Sequence, residues 1–191
     1  MIYFYAGMAL FFGTHLYSAV RSREPGKDLK QKLGYGPFMG LYSLISIAGF
    51  ALIIYGYQNT PAGDILYSVP FDASYIHAIA MLIAFILLVS AYVPGNRIKP
   101  AARHPMLLAI IIWSASHLLM PTDFKELLLF GGFLAYGLID AASAYRRPHR
   151  SPPASSVASD GIVLIAGIGG YVAMAYWLHP ILFGTGPLAV F

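Results

Sequence analysis

The chain contains no cysteine. That excludes disulfides, thiolate-held iron–sulfur clusters, covalently attached c-type haem and a cysteine nucleophile. Any redox chemistry would have to come from a noncovalent cofactor. Charge is almost as scarce: 10% of the 191 residues are charged and 58% are hydrophobic, whereas a soluble domain carries about 25% charged residues. This deficit predicts a chain that lives in lipid. The net charge of +4 would fit nucleic acid if the basic residues formed one patch. They lie between apolar runs instead, which reads as a topology signal, and no nucleic-acid partner is expected. A basic n-region and a small-residue cleavage site are missing from the opening MIYFYAGMAL, so the first apolar run is expected to stay in the mature protein.

Six apolar runs are present: Ile2–Val20, Pro37–Tyr57, Ser74–Val93, Pro105–Met120, Leu127–Tyr145 and Gly161–Phe183. Most approach the ~20 residues that span a ~30 Å hydrocarbon core. The sequence therefore predicts an all-α integral membrane bundle of six transmembrane helices, forming a single domain over residues 1–191. The connections alternate in charge. The first holds Arg21, Arg23, Lys27, Lys30 and Lys32, the third Arg97, Lys99 and Arg103, and the fifth Arg146, Arg147 and Arg150. The second has Asp64 and Asp72 without a basic residue, and the fourth sets Lys125 against Asp123 and Glu126. The positive-inside rule then puts the odd connections in the cytoplasm and both termini outside, as expected of a multi-pass protein of the bacterial inner (cytoplasmic) membrane. Residues 146–160, RRPHRSPPASSVASD, read as a flexible cytoplasmic linker. Asp28–Leu33 reads as a short interfacial helix.

This topology assigns a depth to each polar group. His15 lies roughly 7–8 Å inside the cytoplasmic face, at 1.5 Å per helical residue. His104 opens the fourth helix at the same face, and Asp140 lies at a depth like that of His15. At the outer face are His77, His117 and His179, with Asp123 nearby. The expectation is an inner cluster of His15, His104 and Asp140 and an outer cluster of His77, His117 and His179, which three imidazoles would suit to zinc or copper. Plainer readings stand beside these. Histidines at helix ends can sit among headgroups, Asp140 can simply pair with Arg103, Arg146 or Arg147, and His149 is a solvated linker residue. His15, flanked by Phe11, Phe12 and Leu16, is costly to leave unpaired in lipid.

Taken in order, several segments resemble the bacterial NnrU family. They are LFFGTHL around His15, GLYSLISIAG from Gly40, HAIAMLIAFILL from His77, PGNRIKPAARHPMLL around His104, WSASHLL around His117, LLLFGGFLAYGLIDAAS around Asp140 and WLHPILFG around His179. The resemblance implies a link to denitrification, in nitrite and nitric oxide metabolism. The family is also similar to 15-cis-zeta-carotene isomerase, a membrane protein that holds b-type haem by histidine. On that likeness His15 and His104 match the ligand-bearing segments and are the expected axial ligands of one haem b. Arg103 is then expected to meet the propionates, and Asp140 to accept from an imidazole. A membrane redox partner or a small apolar ligand would accompany haem-dependent redox or isomerase chemistry. Two alternatives stay open: a non-catalytic membrane accessory factor without haem, and an enzyme like the isoprenylcysteine methyltransferases, whose Arg-His-Pro segment is similar to Arg103–Pro105. A small transporter would be expected to show a matched pair of broken helices, and none is recognisable.

Overall fold

The computed structural model describes residues 1–22, 24, 27–147 and 156–184. The chain forms two compact units, Met1–Pro61 and Ala62–Phe191, and among the described residues its regular structure is helical. His149 and most of the 146–160 linker lie outside the described residues.

The first unit is a helical hairpin. Helix α1 spans Ile2–Val20, α2 spans Leu29–Leu33 and α3 spans Tyr35–Gln58. Small residues decide how α1 meets α3. A Cβ added at Gly7 would lie 2.6 Å from the backbone N of Ile53, and one at Gly49 would lie 2.8 Å from that of Phe11. Gly56 likewise abuts Phe4, whose ring is fully buried. Residues advancing along α1 meet residues receding along α3, so the pair is antiparallel and backbone packs on backbone, as small residues allow in membrane helices. Between them, Arg21 pairs with Asp28, and the Asp28 carboxylate caps α2 by accepting from the Lys30 N–H at 3.1 Å. The short interfacial helix expected at Asp28–Leu33 thus forms with Asp28 as its cap.

The second unit contains α4 (Ser74–Tyr92), α5 (Ile98–Ala102), α6 (Pro105–His117), α7 (Phe124–Tyr145), α8 (Val157–Ala173), a π-helical turn at Met174–Leu178 and α9 (His179–Phe183). Helix α4 packs on α6 and on α8, and α6 packs on α7. Glycines again mark the tightest crossings, Gly137 against Ile111 and Gly167 against Ile86. Polar ties pin both ends. At one end the Arg97 N–H donates to Asp160 at 2.7 Å and the Tyr145 hydroxyl donates to the Ala102 carbonyl at 3.0 Å. At the other, the Tyr67 hydroxyl donates to the Leu118 carbonyl at 2.6 Å, the Leu66 N–H donates to the Thr122 carbonyl, and the Thr122 N–H donates to the Tyr67 carbonyl. Arg97, Lys99, Arg103, Arg146 and Arg147 gather at the first end. The second holds Asp64, Asp72, Asp123, Glu126 and Lys125.

Among the described residues, four helices are long and apolar enough to cross a membrane: Tyr35–Gln58, Ser74–Tyr92, Phe124–Tyr145 and the continuous Val157–Phe183. Of the other two runs, Pro105–His117 is shorter, at 13 residues. Ile2–Val20 has 19 residues, but His15, Thr14, Ser18 and three tyrosines dilute it. Apolar side chains face outward, Ile47 being 68% and Ile165 76% exposed. Such faces suit a lipid solvent, and the apolar helices point to a membrane-embedded protein.

Helix ends differ from the apolar runs where capping decides. Helix α7 starts at Phe124, three residues before its run, because Asp123 and Glu126 form a capping box that satisfies otherwise orphaned N–H groups. Helix α8 starts at Val157 because the Ser156 side chain accepts from the Ala158 N–H. Asp160, read from the sequence as linker, therefore lies in the first turn of a helix and pairs with Arg97. Helix α6 stops at His117, three residues short of its run.

Candidate functional site

At the end of the second unit where α4 begins, His77, His117 and His179 line one cavity of about 60 Å³. Antiparallel packing explains the meeting. His77 is the fourth residue of α4 and His117 the last of α6, so neighbouring helices of opposite direction bring them level. Their ring centroids are 4.7 Å apart with planes at 89°. Each ring is tethered through one nitrogen. The Nδ1 of His77 lies 3.2 Å from the Ser116 carbonyl, and that of His117 lies 2.8 Å from the Trp113 carbonyl. A carbonyl can only accept, so Nδ1 carries the proton in both and the lone pair falls on Nε2. Phe130 stacks on His117 at 4.3 Å and Trp113 flanks it at 5.2 Å, leaving the imidazole an apolar surround.

The third histidine arrives by way of the π-helical turn. Pro180 has no N–H to give the carbonyl of Tyr176 and its ring crowds that carbonyl, which breaks the regular ladder. The helix widens over Met174–Leu178 before resuming at His179. Single π turns are frequent at functional sites. Sequence reading passed over the other donors here. Met81, Met120 and Met174 line the same cavity, and Ser116 Oγ lies 3.6 Å from the Met81 sulfur. The signal was available, since His77 and Met81 are four residues apart on one helix face.

His104 and Arg103 lie at the opposite end of this unit. Arg103 has φ 59° and ψ −52°, and the His104 N–H donates to the Ala102 carbonyl at 2.6 Å. Together these describe a classical γ-turn centred on Arg103, a rare and strained conformation. Pro105 supplies a reason, because the residue before proline is driven out of the α region. His104, at φ −129° and ψ 64°, therefore separates α5 from α6. The turn sets Arg103 over the Tyr145 ring at 5.1 Å and His104 edge-on to the same ring at 5.0 Å. Asp140, on α7, accepts from the Tyr136 hydroxyl at 3.2 Å and lies 3.6 Å from Arg147. The plainer reading of Asp140, a partner for a nearby arginine, accounts for these contacts.

In the first unit, His15 lies in the second half of α1. Its Nδ1 is 2.8 Å from the Phe11 carbonyl. The ring stacks on Phe11 at 4.0 Å and meets Tyr42 of α3 at 5.3 Å. A haem-ligating imidazole needs one nitrogen anchored by a carbonyl or carboxylate, so that the other presents its lone pair in a fixed direction. The Nδ1 anchor and aromatic walls of His15 fit that requirement. The half-buried His104, held by a strained turn beside an arginine, fits the donor set of such a group as well. His15 and His104 belong to different units, and each is placed within its own.

The remaining site residues divide plainly. Asp123, expected near the outer cluster, spends its carboxylate on the Glu126 N–H at 2.8 Å and the Gly63 N–H at 2.9 Å; it is a helix cap. Among the described residues, no group of three histidine, aspartate or glutamate side chains is arranged to hold a metal ion.

Comparison with known families places residues 3–187 on the family model described as NnrU protein. No curated protein and no solved structure matches the chain.

Proposed function

Because this chain belongs to the NnrU family, we propose that it is a haem b-binding protein of the bacterial cytoplasmic membrane, linked to nitrite and nitric oxide metabolism. The observation that carries the reading is the anchoring of His15: an imidazole within an apolar helix, its Nδ1 committed to the Phe11 carbonyl and its face covered by aromatic rings. His15 of the first unit and His104 of the second are the residues that would ligate the haem iron. Arg103 would pair with a propionate, since a guanidinium matches a carboxylate in shape and charge. Bound haem would supply a one-electron centre whose potential depends on its axial ligands and burial. The chain's own residues fix imidazole direction and exclude water. The strained turn at Arg103 supports the same assignment, because strain of this kind persists where function requires it.

The membrane arrangement belongs to this proposal. Six crossings, with α1 and α6 completing the four longer spans, would set Arg97, Lys99, Arg103, Arg146 and Arg147 in the cytoplasm and both termini outside. The charge asymmetry between the two ends of the second unit supports that orientation.

The test is the absorption spectrum of membranes containing the overproduced chain. Wild type should show a Soret band, His15→Ala and His104→Ala should each lose or shift it, and His149→Ala should leave it unchanged. A wild-type spectrum and haem content in both single variants would sink the assignment.

A further inference from the structure

We propose that the cavity bounded by His77, His117, His179, Met81, Met120 and Met174 is a copper(I) site. The donors are the first argument. Half of the chain's six histidines and three of its seven methionines line one small cavity. Its lining contains no carboxylate. Hard cations such as magnesium and calcium are held chiefly by carboxylate and carbonyl oxygens, whereas the side-chain oxygens of this lining are only the hydroxyls of Ser74 and Tyr171; imidazole with thioether is the donor set that soft copper(I) prefers.

Geometry is the second. Two imidazoles bound through Nε2 to one ion, with bonds of about 2 Å, have ring centroids roughly 5 Å apart at a tetrahedral angle. The His77 and His117 centroids are 4.7 Å apart. Both rings have Nδ1 against a backbone carbonyl, the outer-shell contact that fixes the tautomer a metal requires. An all-imidazole trio is not set up among the described residues, so the third donor falls to a thioether. Copper(I), a d10 ion satisfied by two or three ligands, tolerates such a set. Met81 is already approached by Ser116, and Met120 and Met174 are the better donors.

Charge and size then discriminate further. The Born cost of burying an ion scales with the square of its charge, so a divalent ion pays about four times what a monovalent one pays in the same apolar surround. The cavity, about 60 Å³, has room for an ion together with a water ligand. The π-helical turn that delivers Met174 and His179 gives the site a structural reason to exist.

This site is independent of the haem assignment, and one experiment separates them. Full-length protein in detergent is titrated with copper(I) anaerobically against a chromophoric copper(I) chelator, and X-ray absorption identifies the scatterers. One copper(I) per chain is expected, with sulfur and nitrogen in its shell. His117→Ala should weaken binding at least tenfold. The Met120→Leu/Met174→Leu double variant, which keeps apolar volume and hence the fold, should also weaken it tenfold and remove the sulfur scatterer. His15→Ala should leave copper binding intact whatever it does to haem. No competition by wild type, unchanged affinity in the methionine double variant, or displacement of copper(I) by equimolar zinc would each overturn the proposal. Should His117→Ala aggregate, the double variant alone decides.

Discussion

His77 and His117 meet edge to face, 4.7 Å between ring centroids, although 40 positions separate them in the chain. Two neighbouring helices of opposite direction make that contact. Helix α4 enters with His77 in its first turn, and α6 arrives with His117 as its last residue. Carbonyls at Ser116 and Trp113 hold the two rings, so their mutual orientation is built into the ends of both helices.

The α1–α3 hairpin depends on absent side chains. A Cβ on Gly7 or Gly49 would lie within 2.8 Å of facing backbone atoms, and backbone cannot rotate aside as a side chain can. Gly7→Leu should lower the thermal midpoint of the first unit sharply, at a cost above the 1–3 kcal/mol typical of core overpacking. Gly13→Ala is the control, since a Cβ there meets nothing within 4 Å. Thermal melts of detergent-purified variants check both.

Acid should loosen α2. The Arg21 hydrogen bond, aided by the Lys30 N–H, holds the Asp28 carboxyl below its ordinary range. A depressed folded-state pKa contributes stability that is fully present above the unfolded value, roughly 4, and is lost as pH falls through the folded one. The hydrogen-exchange protection factors at Leu29–Leu33, with the intrinsic rate at each pH divided out, should therefore be high at pH 6 and fall below pH 4. In Asp28→Asn they should be low at both. Equal protection in wild type across that range would show that the pair does not hold the helix.

Membrane orientation can be read directly, because the chain has no cysteine of its own. In spheroplasts, a membrane-impermeant maleimide should label Asp64→Cys at once, and should label Lys27→Cys and Arg146→Cys only after permeabilisation. Immediate labelling at Lys27 would reverse the proposed topology.

Strain at Arg103 separates function from stability. At φ 59° a glycine would relieve a cost of order 1–3 kcal/mol. Arg103→Gly should match or exceed the wild-type thermal midpoint, despite losing the contact with Tyr145, while retaining less haem. Arg103→Lys should keep the strain and recover part of the haem content. Lower stability in Arg103→Gly would show that the turn is not strained.

Local chemistry made much of this protein legible from its sequence. Apolar runs mark the helices because a lipid solvent forces backbone groups to pair within each segment. Ile2–Val20 coincides with α1, and the ordered motifs from His15 to His179 identified the family. Counting residues from helix ends put His77, His117 and His179 at one expected level, and all three line one cavity. Contacts that depend on azimuth and on neighbours were not legible. The γ-turn at Arg103 needs the geometry imposed by Pro105 together with Tyr145 forty residues on, and the use of Asp123 as a cap needs both the α7 terminus and Gly63. Met120 and Met174 join the histidines only because α4 packs on both α6 and α8 and Pro180 widens the last helix. Hydropathy marks which segments are apolar enough to suit a membrane. Which side chains then face one another is set by where glycine lets two backbones close, and that is a property of pairs of helices.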